Sequence, residues 1–112
     1  MQATYNSGEI VEGGGNAFVS TRIQCPESKK ITATSSVQYS GPYPGTVYII
    51  EYTQDDVFVD YWSFNNTSRD INLNNNTSYI RVTRNSNNAE DHSTTLTITD
   101  TTTETLLFEY RS

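Results

Sequence analysis

Cysteine is nearly absent from this sequence: Cys25 is the only one among 112 residues. A single cysteine cannot form an internal disulfide, which secreted β-domains of this size often carry. The composition therefore favours assembly in a reducing cytoplasm. A chain of this length can fold as one domain without a disulfide or a metal, because it buries about two thirds of the surface that its unfolded form exposes.

Positive charge is also scarce. Seven Lys and Arg residues stand against thirteen Asp and Glu, which gives a net charge of −6, and only Lys29 and Lys30 are adjacent. Phosphate binding needs clustered basic side chains, so the sequence argues against nucleic acid and against anionic membranes as partners. No apolar run approaches the roughly 20 residues of a membrane-spanning helix. The first residues, Met1 to Tyr5, show neither the basic head nor the apolar stretch of a secretory signal.

The residues that are abundant predict an all-β chain. Thr, Ser and Asn together supply about a third of the sequence, and there are eight tyrosines but one methionine. Thr, Tyr, Val and Ile suit a pleated, half-buried surface, whereas good helix formers are few. Period-two alternation predicts strands over 17–25, 31–39, 46–53, 57–64, 70–73, 78–84, 94–100 and 104–110. In the last of these, Leu106, Phe108 and Tyr110 should share one face.

These strands predict a single antiparallel, Ig-like β-sandwich of about 7–8 short strands over residues 17–112, preceded by an extended N-terminal arm over residues 1–16. The arm ends in Gly13-Gly14-Gly15-Asn16 and has little apolar content. Termini are poorly ordered unless something holds them. We therefore expect the arm either to be loose or to dock on its own domain or on a neighbouring subunit.

The segment Gly41-Pro42-Tyr43-Pro44-Gly45 predicts a turn before the next strand. Pro44 and Gly45 fit the two central positions of a type II turn, because proline presets φ and glycine accepts a positive one. A proline-stiffened tip also loses little entropy on binding, so Tyr43 is a candidate contact residue. The two interpretations are compatible.

The predicted hairpin over residues 46–64 carries large apolar groups on both faces. A half-solvated antiparallel sheet should be polar on one face. Here Tyr48, Ile50 and Tyr52 oppose Val47 and Ile49, and in the partner strand Val57, Val59 and Tyr61 oppose Phe58, Trp62 and Phe64. The hairpin is therefore either a central pair in a tight sandwich or a surface covered by the arm, a loop or another subunit.

The sequence contains few residues that could form a catalytic or metal-binding site. Cys25 and His92 are the only members of their types, and Cys25 closes an alternating strand as a small buried residue would. Glu90-Asp91-His92 reads as a solvated loop rather than a metal site, and Asp55-Asp56 as turn chemistry. Glu51 and Asp60 could face each other as paired carboxylates, but no cleft accompanies them. We expect no catalytic residue, no cofactor and no metal.

The strand spacing resembles that of immunoglobulin-like domains. The closing stretch, from Asn85-Ser86-Asn87-Asn88 through Leu96 and Ile98 to Phe108 and Tyr110, is similar to the last hairpin of BACON-type domains, with Glu109-Tyr110-Arg111 where that family usually ends in Val-x-Gln. Such domains occur in proteins of gut Bacteroidetes and their phages. The resemblance implies a structural or adhesive role and no active site.

We therefore expect a non-enzymatic virion structural protein that decorates a capsid and binds the shell or sister subunits. It would be made in the host cytoplasm and located in the virion. The alternative is a carbohydrate- or cell-surface-binding module, located at a bacterial surface or outside the cell if a signal segment has been removed. The predicted interface residues are Tyr5, Ile10, Val11, Tyr43, Tyr48, Tyr52, Phe58, Trp62 and Phe64.

Overall fold

The protein is all-β in a computed structural model that describes residues 1–13, 17–39, 46–64, 67–85 and 92–111. These residues contain no helix. Their strands are β1 (Gln2–Ala3), β2 (Ile10–Val11), β3 (Phe18–Val19), β4 (Ile23–Gln24), β5 (Lys30–Tyr39), β6 (Thr46–Tyr52), β7 (Phe58–Phe64), β8 (Ser68–Asn72), β9 (Tyr79–Asn85), β10 (His92–Asp100) and β11 (Leu106–Arg111). The all-β prediction is confirmed, whereas Gly41–Gly45, with Tyr43, lies outside the described residues.

Two antiparallel sheets form the body of the molecule. One has the order β11-β10-β5-β8, and the other has the order β3-β9-β6-β7 with β4 also paired to β9. Buried aliphatic side chains from both sheets form the main core: Ile23, Ile31, Ala33, Val47, Ile49, Ile71, Leu73, Ile80, Val82, Leu96 and Ile98. The architecture is sandwich-like, with the alternating apolar residues of each strand turned toward the opposite sheet.

The predicted hairpin of β6 and β7 is confirmed, with Ile49 opposite Trp62 and Glu51 opposite Asp60. Its turn follows the predicted chemistry, since Asp56 adopts a φ of 66° and its amide donates to the carbonyl of Thr53. Short polar Asp tolerates this left-handed conformation better than most residues. A second turn follows Asn74 and is closed by the Thr77 amide on the Asn74 carbonyl.

Two bulges change the facing that strict alternation predicts. The register shifts between Glu51 and Tyr52, so Tyr52 pairs with Phe58 and Val59 is the extra residue. Phe58 therefore turns away from Trp62 and packs with Tyr52 on the opposite face.

A second register shift lies between Ile98 and Thr99, where Leu107 of β11 is the extra residue. Leu106 is consequently 53% exposed, whereas Leu107 and Phe108 pack against the main core. The prediction that Leu106 shares a face with Phe108 and Tyr110 is wrong, because one inserted residue reverses the facing.

The predicted strand 17–25 is interrupted at Ser20. The Val82 amide donates to the Ser20 hydroxyl at 2.9 Å instead of to a backbone carbonyl, while the Ser20 amide donates to the Val82 carbonyl. A side-chain oxygen thus replaces one rung of the ladder. The edge strand is divided into β3 and β4, which both pair with β9.

Candidate functional site

The N-terminal segment folds back on its own domain as a small hairpin. β1 pairs with β2, and the connecting turn is closed by the Thr4 amide on the Glu9 carbonyl and by the Gly8 amide on the Thr4 carbonyl, both at 2.7 Å. The Ala3 amide donates to Thr83 Oγ1 of β9 at 2.9 Å. Of the alternatives for the arm, docking on its own domain is the one observed for residues 1–13, which we call the tail hairpin.

Under the tail hairpin lies a second core, on the face of the β6–β7–β9 sheet that is turned away from the main core. Its buried members are Ala3, Ile50, Tyr52 and Tyr79, and Val19, Tyr48 and Phe58 pack against them. The rings of Tyr52 and Tyr79 stack at 4.8 Å, and the Tyr52 hydroxyl donates to the Gly8 carbonyl at 2.8 Å. Burial raises the pKa of the Tyr52 phenol above its ordinary value. The tail hairpin thus covers part of the apolar face noted in the sequence.

Three tyrosines remain partly exposed at the edge of this second core, and we call them the tyrosine cluster. Tyr5 stacks on Tyr48 with ring centroids 4.7 Å apart and planes 11° apart. Tyr61 meets both rings edge-on, at 5.0 Å from Tyr5 and 6.1 Å from Tyr48. Tyr5 is 37% exposed and Tyr61 38% exposed. The tail hairpin, β6 and β7 each supply one ring, and each ring holds its neighbours in place.

A polar groove opens beside Tyr79. Its cavity of about 500 Å³ is lined by Arg22, Gln24, Gln54, Ser78 and Tyr79. Arg22 forms an ion pair with Asp56 at 2.9 Å, and its guanidinium lies 4.8 Å from the Tyr79 ring centre. The Tyr79 hydroxyl donates to Asp56 at 2.8 Å. Burial, reinforced by this hydrogen bond and by the charge of Asp56, raises the pKa of Tyr79.

The other predicted interface residues are dispersed. Ile10 in β2 is 39% exposed and Val11 is half-buried. Trp62 faces the main core, where its indole Nε1 donates to Glu51 Oε2 at 2.7 Å, and the Arg69 guanidinium lies 5.0 Å from its ring centre. Phe64 ends β7, and its side chain lies outside the description. The structure thus brings Tyr5, Tyr48 and Tyr52 together and places Trp62 on the opposite face.

Glu51 is fully buried between the sheets, and its carboxylate is saturated with donors. Oε1 accepts from the Asn74 amide at 2.8 Å, from Asn74 Nδ2 at 3.1 Å and from Thr77 Oγ1 at 2.6 Å, while Oε2 accepts from Trp62. Asp60, its partner in register, accepts from the Tyr61 amide instead. The arrangement ties the turn after β8 to β6, as buried carboxylates with several donors commonly do.

The remaining chemical candidates are separated or lie outside the description. Cys25 packs half-buried against the main core, and burial raises the pKa of its thiol, opposed by the nearby Lys29. A raised pKa is contrary to what an activated nucleophile needs. His92 begins β10, opposite Tyr39, and Glu90 and Asp91 are not described. Within the described ranges, no three Cys, His, Asp or Glu side chains gather as metal ligands would.

Two features were missed by the sequence reasoning. The groove lined by Arg22, Gln54 and Tyr79 joins residues far apart in the chain, and no local signal marks it. Arg84, by contrast, could have been found, since it continues the inward alternation of Ile80 and Val82 in β9. It is 1% exposed.

The part of the chain that the structure describes has no helix of the length and apolarity required to cross a bilayer. In comparisons with known proteins, no family model, no curated protein and no solved structure matches this chain.

Proposed function

We propose that this chain is a non-enzymatic structural protein of a virion, a small capsid-decorating or auxiliary protein with an Ig-like fold. The observation that carries the proposal is the tyrosine cluster. Tyrosine is enriched in protein interfaces because it offers a large, partly apolar contact area and has few rotatable bonds. Tyr5, Tyr48 and Tyr61 already restrain one another by ring contacts. They would therefore lose little further entropy when a partner docks.

The charge of the chain indicates what kind of partner surface would suit the cluster. The net charge is −6. Complementary potential speeds encounter and suppresses wrong partners, so a shell surface with exposed Lys or Arg around an apolar patch fits best. The tail hairpin contributes Tyr5, so the contact surface is complete only when the hairpin is docked on the sheet.

The first experiment asks whether the chain is part of a particle. We expect mass spectrometry of purified particles from the encoding source to detect it in stoichiometric amounts, and electron microscopy to place it on the shell. Its absence from washed particles would contradict the proposal.

The second experiment tests the contact surface. Tyr61→Ser should weaken co-sedimentation of the purified protein with stripped particles by about tenfold, the effect of losing one well-packed aromatic contact. Thr102→Ala, in the exposed turn between β10 and β11, is the control and should bind as the unaltered protein does. Equal binding by both variants would remove the tyrosine cluster from the interface.

A carbohydrate- or cell-surface-binding module is the second candidate, and the polar groove favours it. Gln24, Gln54 and Ser78 line the groove, and amide and hydroxyl groups suit sugar hydroxyls. Binding on a glycan array that is lost in Gln54→Ala, without association with particles, would favour this function. Trp62 lies on the opposite face, partly buried against the main core, and is not part of this groove.

A further inference from the structure

Arg84 is the largest fully buried side chain of the described residues. It stands in β9 opposite Phe18 of β3 and Val47 of β6. Its place in the alternation directs it between the two sheets, where a cationic group is costly unless it is paired. Burial lowers the pKa of the Arg84 guanidinium, with the nearby Tyr110 opposing the shift.

The guanidinium uses one of its two edges. Nη1 donates to Thr94 Oγ1 of β10. Nε and Nη2 have no hydrogen-bond partner within the described part of the chain. The N–H groups of Nε and Nη2 project from the same edge of the planar group, which is the edge that holds both oxygens of a carboxylate.

The buried carboxylate of Glu51, in the same sheet, is not the partner of Nε and Nη2 of Arg84. Glu51 pairs in register with Ile80, four residues along β9 from Arg84, a separation of roughly 13 Å. Its oxygens are occupied by Trp62, Asn74 and Thr77. The two buried charges therefore occupy different ends of the sandwich.

A further buried hydroxyl group lies on the opposite sheet, in the strand next to Thr94. Ser35 in β5 is 5% exposed, and its hydroxyl has no partner among the described residues. Ser35 is opposite Leu96 in register, which makes it the diagonal neighbour of Thr94 on the same face. Thr94, which already accepts from Arg84, thus has a buried hydroxyl as its diagonal neighbour at the same end of the main core.

We propose that this end of the sandwich is a carboxylate-binding site, in which Nε and Nη2 of Arg84 hold the two oxygens and the Ser35 hydroxyl supplies a third donor. The carboxylate is either a small free acid or an acidic side chain of a polypeptide inserted between the sheets. This site is distinct from the tyrosine cluster and from the groove, and it stands independently of the virion role.

The test measures thermal unfolding of the purified protein in sodium formate against sodium chloride at equal ionic strength. Formate should raise Tm saturably, by about 5 °C at ten times its Kd, beyond any effect of chloride. Arg84→Met and Arg84→Lys should abolish the increment, since neither offers two donors on one edge. Arg81→Met, on the opposite face of the same strand, should retain it.

A spectroscopic measurement keeps the proposal testable if the Arg84 variants fold poorly. In the unaltered protein, the NMR signal of the Arg84 Nε–H group should shift as formate is added and should reach saturation at the same concentration as Tm. A signal that does not move, or a Tm increment that persists in Arg84→Met, would overturn the site.

The source of the carboxylate is decided by a second ligand, N-acetylaspartate N-methylamide. If both this compound and formate shift the Arg84 signal, the site accepts an acidic side chain of a polypeptide. If formate alone does, the site is specific for small free acids. A response to chloride equal to that of formate would contradict carboxylate recognition.

Discussion

Gly8 occupies a position that a residue with a side chain would disturb twice. Its φ is 71°, in the left-handed region, and a Cβ built there would lie 2.7 Å from Tyr52 Cε1. The same residue accepts the Tyr52 hydroxyl through its carbonyl. The turn of the tail hairpin can therefore approach the sheet only because residue 8 lacks a side chain.

We expect Gly8→Ala to lower the free energy of unfolding by about 2–3 kcal/mol, from backbone strain and displacement of the Tyr52 ring. Urea denaturation followed by tyrosine fluorescence measures the loss. Ser7→Ala, in the same exposed turn, is the control and should change stability by no more than about 0.5 kcal/mol. Equal stability of the two variants would show that the hairpin turn is not in close contact with Tyr52 at Gly8.

The buried carboxylate of Glu51 gives a second prediction for a single residue. Glu51→Gln keeps the size of the side chain but places an amide donor among the groups that now donate to the carboxylate, Trp62, Asn74 and Thr77. We expect a loss of about 2–4 kcal/mol in the free energy of unfolding. Glu109→Gln is the control, because Glu109 is exposed and forms a surface ion pair with the exposed Arg111. A loss below about 1 kcal/mol would indicate that water replaces the buried network.

At the scale of elements, the tail hairpin acts as a partial third layer over the β6–β7–β9 sheet. Two-residue strands have little stability of their own. The hairpin is held by tertiary contacts: the buried Ala3 side chain, the bond from its amide to Thr83, the Tyr52 hydroxyl, and the stacking of Tyr5 on Tyr48.

Ala3→Asp should detach the tail hairpin, because it would bury a carboxylate in the second core. Hydrogen exchange should show at least a tenfold loss of protection at the amides of β1 and β2, while amides of β5 and β10 keep theirs. Met1→Asp, at a side chain that is 65% exposed, should leave both regions unchanged. Uniform loss across all strands would mean that the hairpin and the sandwich unfold as one unit.

For the whole molecule, the second core makes stability sensitive to alkali. The pKa values of Tyr52 and Tyr79 are raised above the ordinary 10.0 by burial. A group with a raised pKa in the folded state stabilises fully below its unfolded pKa, and this contribution is lost as the pH rises through the folded value. Unfolding midpoints should therefore hold up to pH about 10 and fall steeply above it.

Tyr52→Phe should make that alkaline fall shallower, although it removes the hydrogen bond to Gly8 and lowers stability at neutral pH. Tyr61→Phe, at a ring that is 38% exposed, should leave the slope unchanged. Denaturation series between neutral pH and pH above 10 measure the slope of stability against pH, and tyrosinate absorbance over the same series follows the ionisation of the tyrosines. An identical slope in all three proteins would dissociate the second core from the pH response.

Much of the fold could be predicted from the sequence because strand alternation and turn chemistry are local. The β6–β7 hairpin and the turn at Asp56 are where the residues indicated. Phe58 and Leu106 were assigned to the wrong faces, because a bulge inserts one residue and reverses the alternation after it. Ser20 broke its strand by side-chain bonding, which alternation does not register.

The candidate sites were less accessible to sequence reasoning. The large apolar groups on both faces of the hairpin left several kinds of cover open, because cover by residues 1–13 depends on contacts across about 80 positions of chain, such as Ala3 with Thr83. Residue types and their local alternation were enough to predict an acidic all-β chain, because composition and period are properties of residues and their neighbours. The burial of Tyr52, the exposure of Tyr61 and the position of Arg84 between the sheets depend instead on which distant strands meet. The same holds for the edge of Arg84 that has no partner among the described residues.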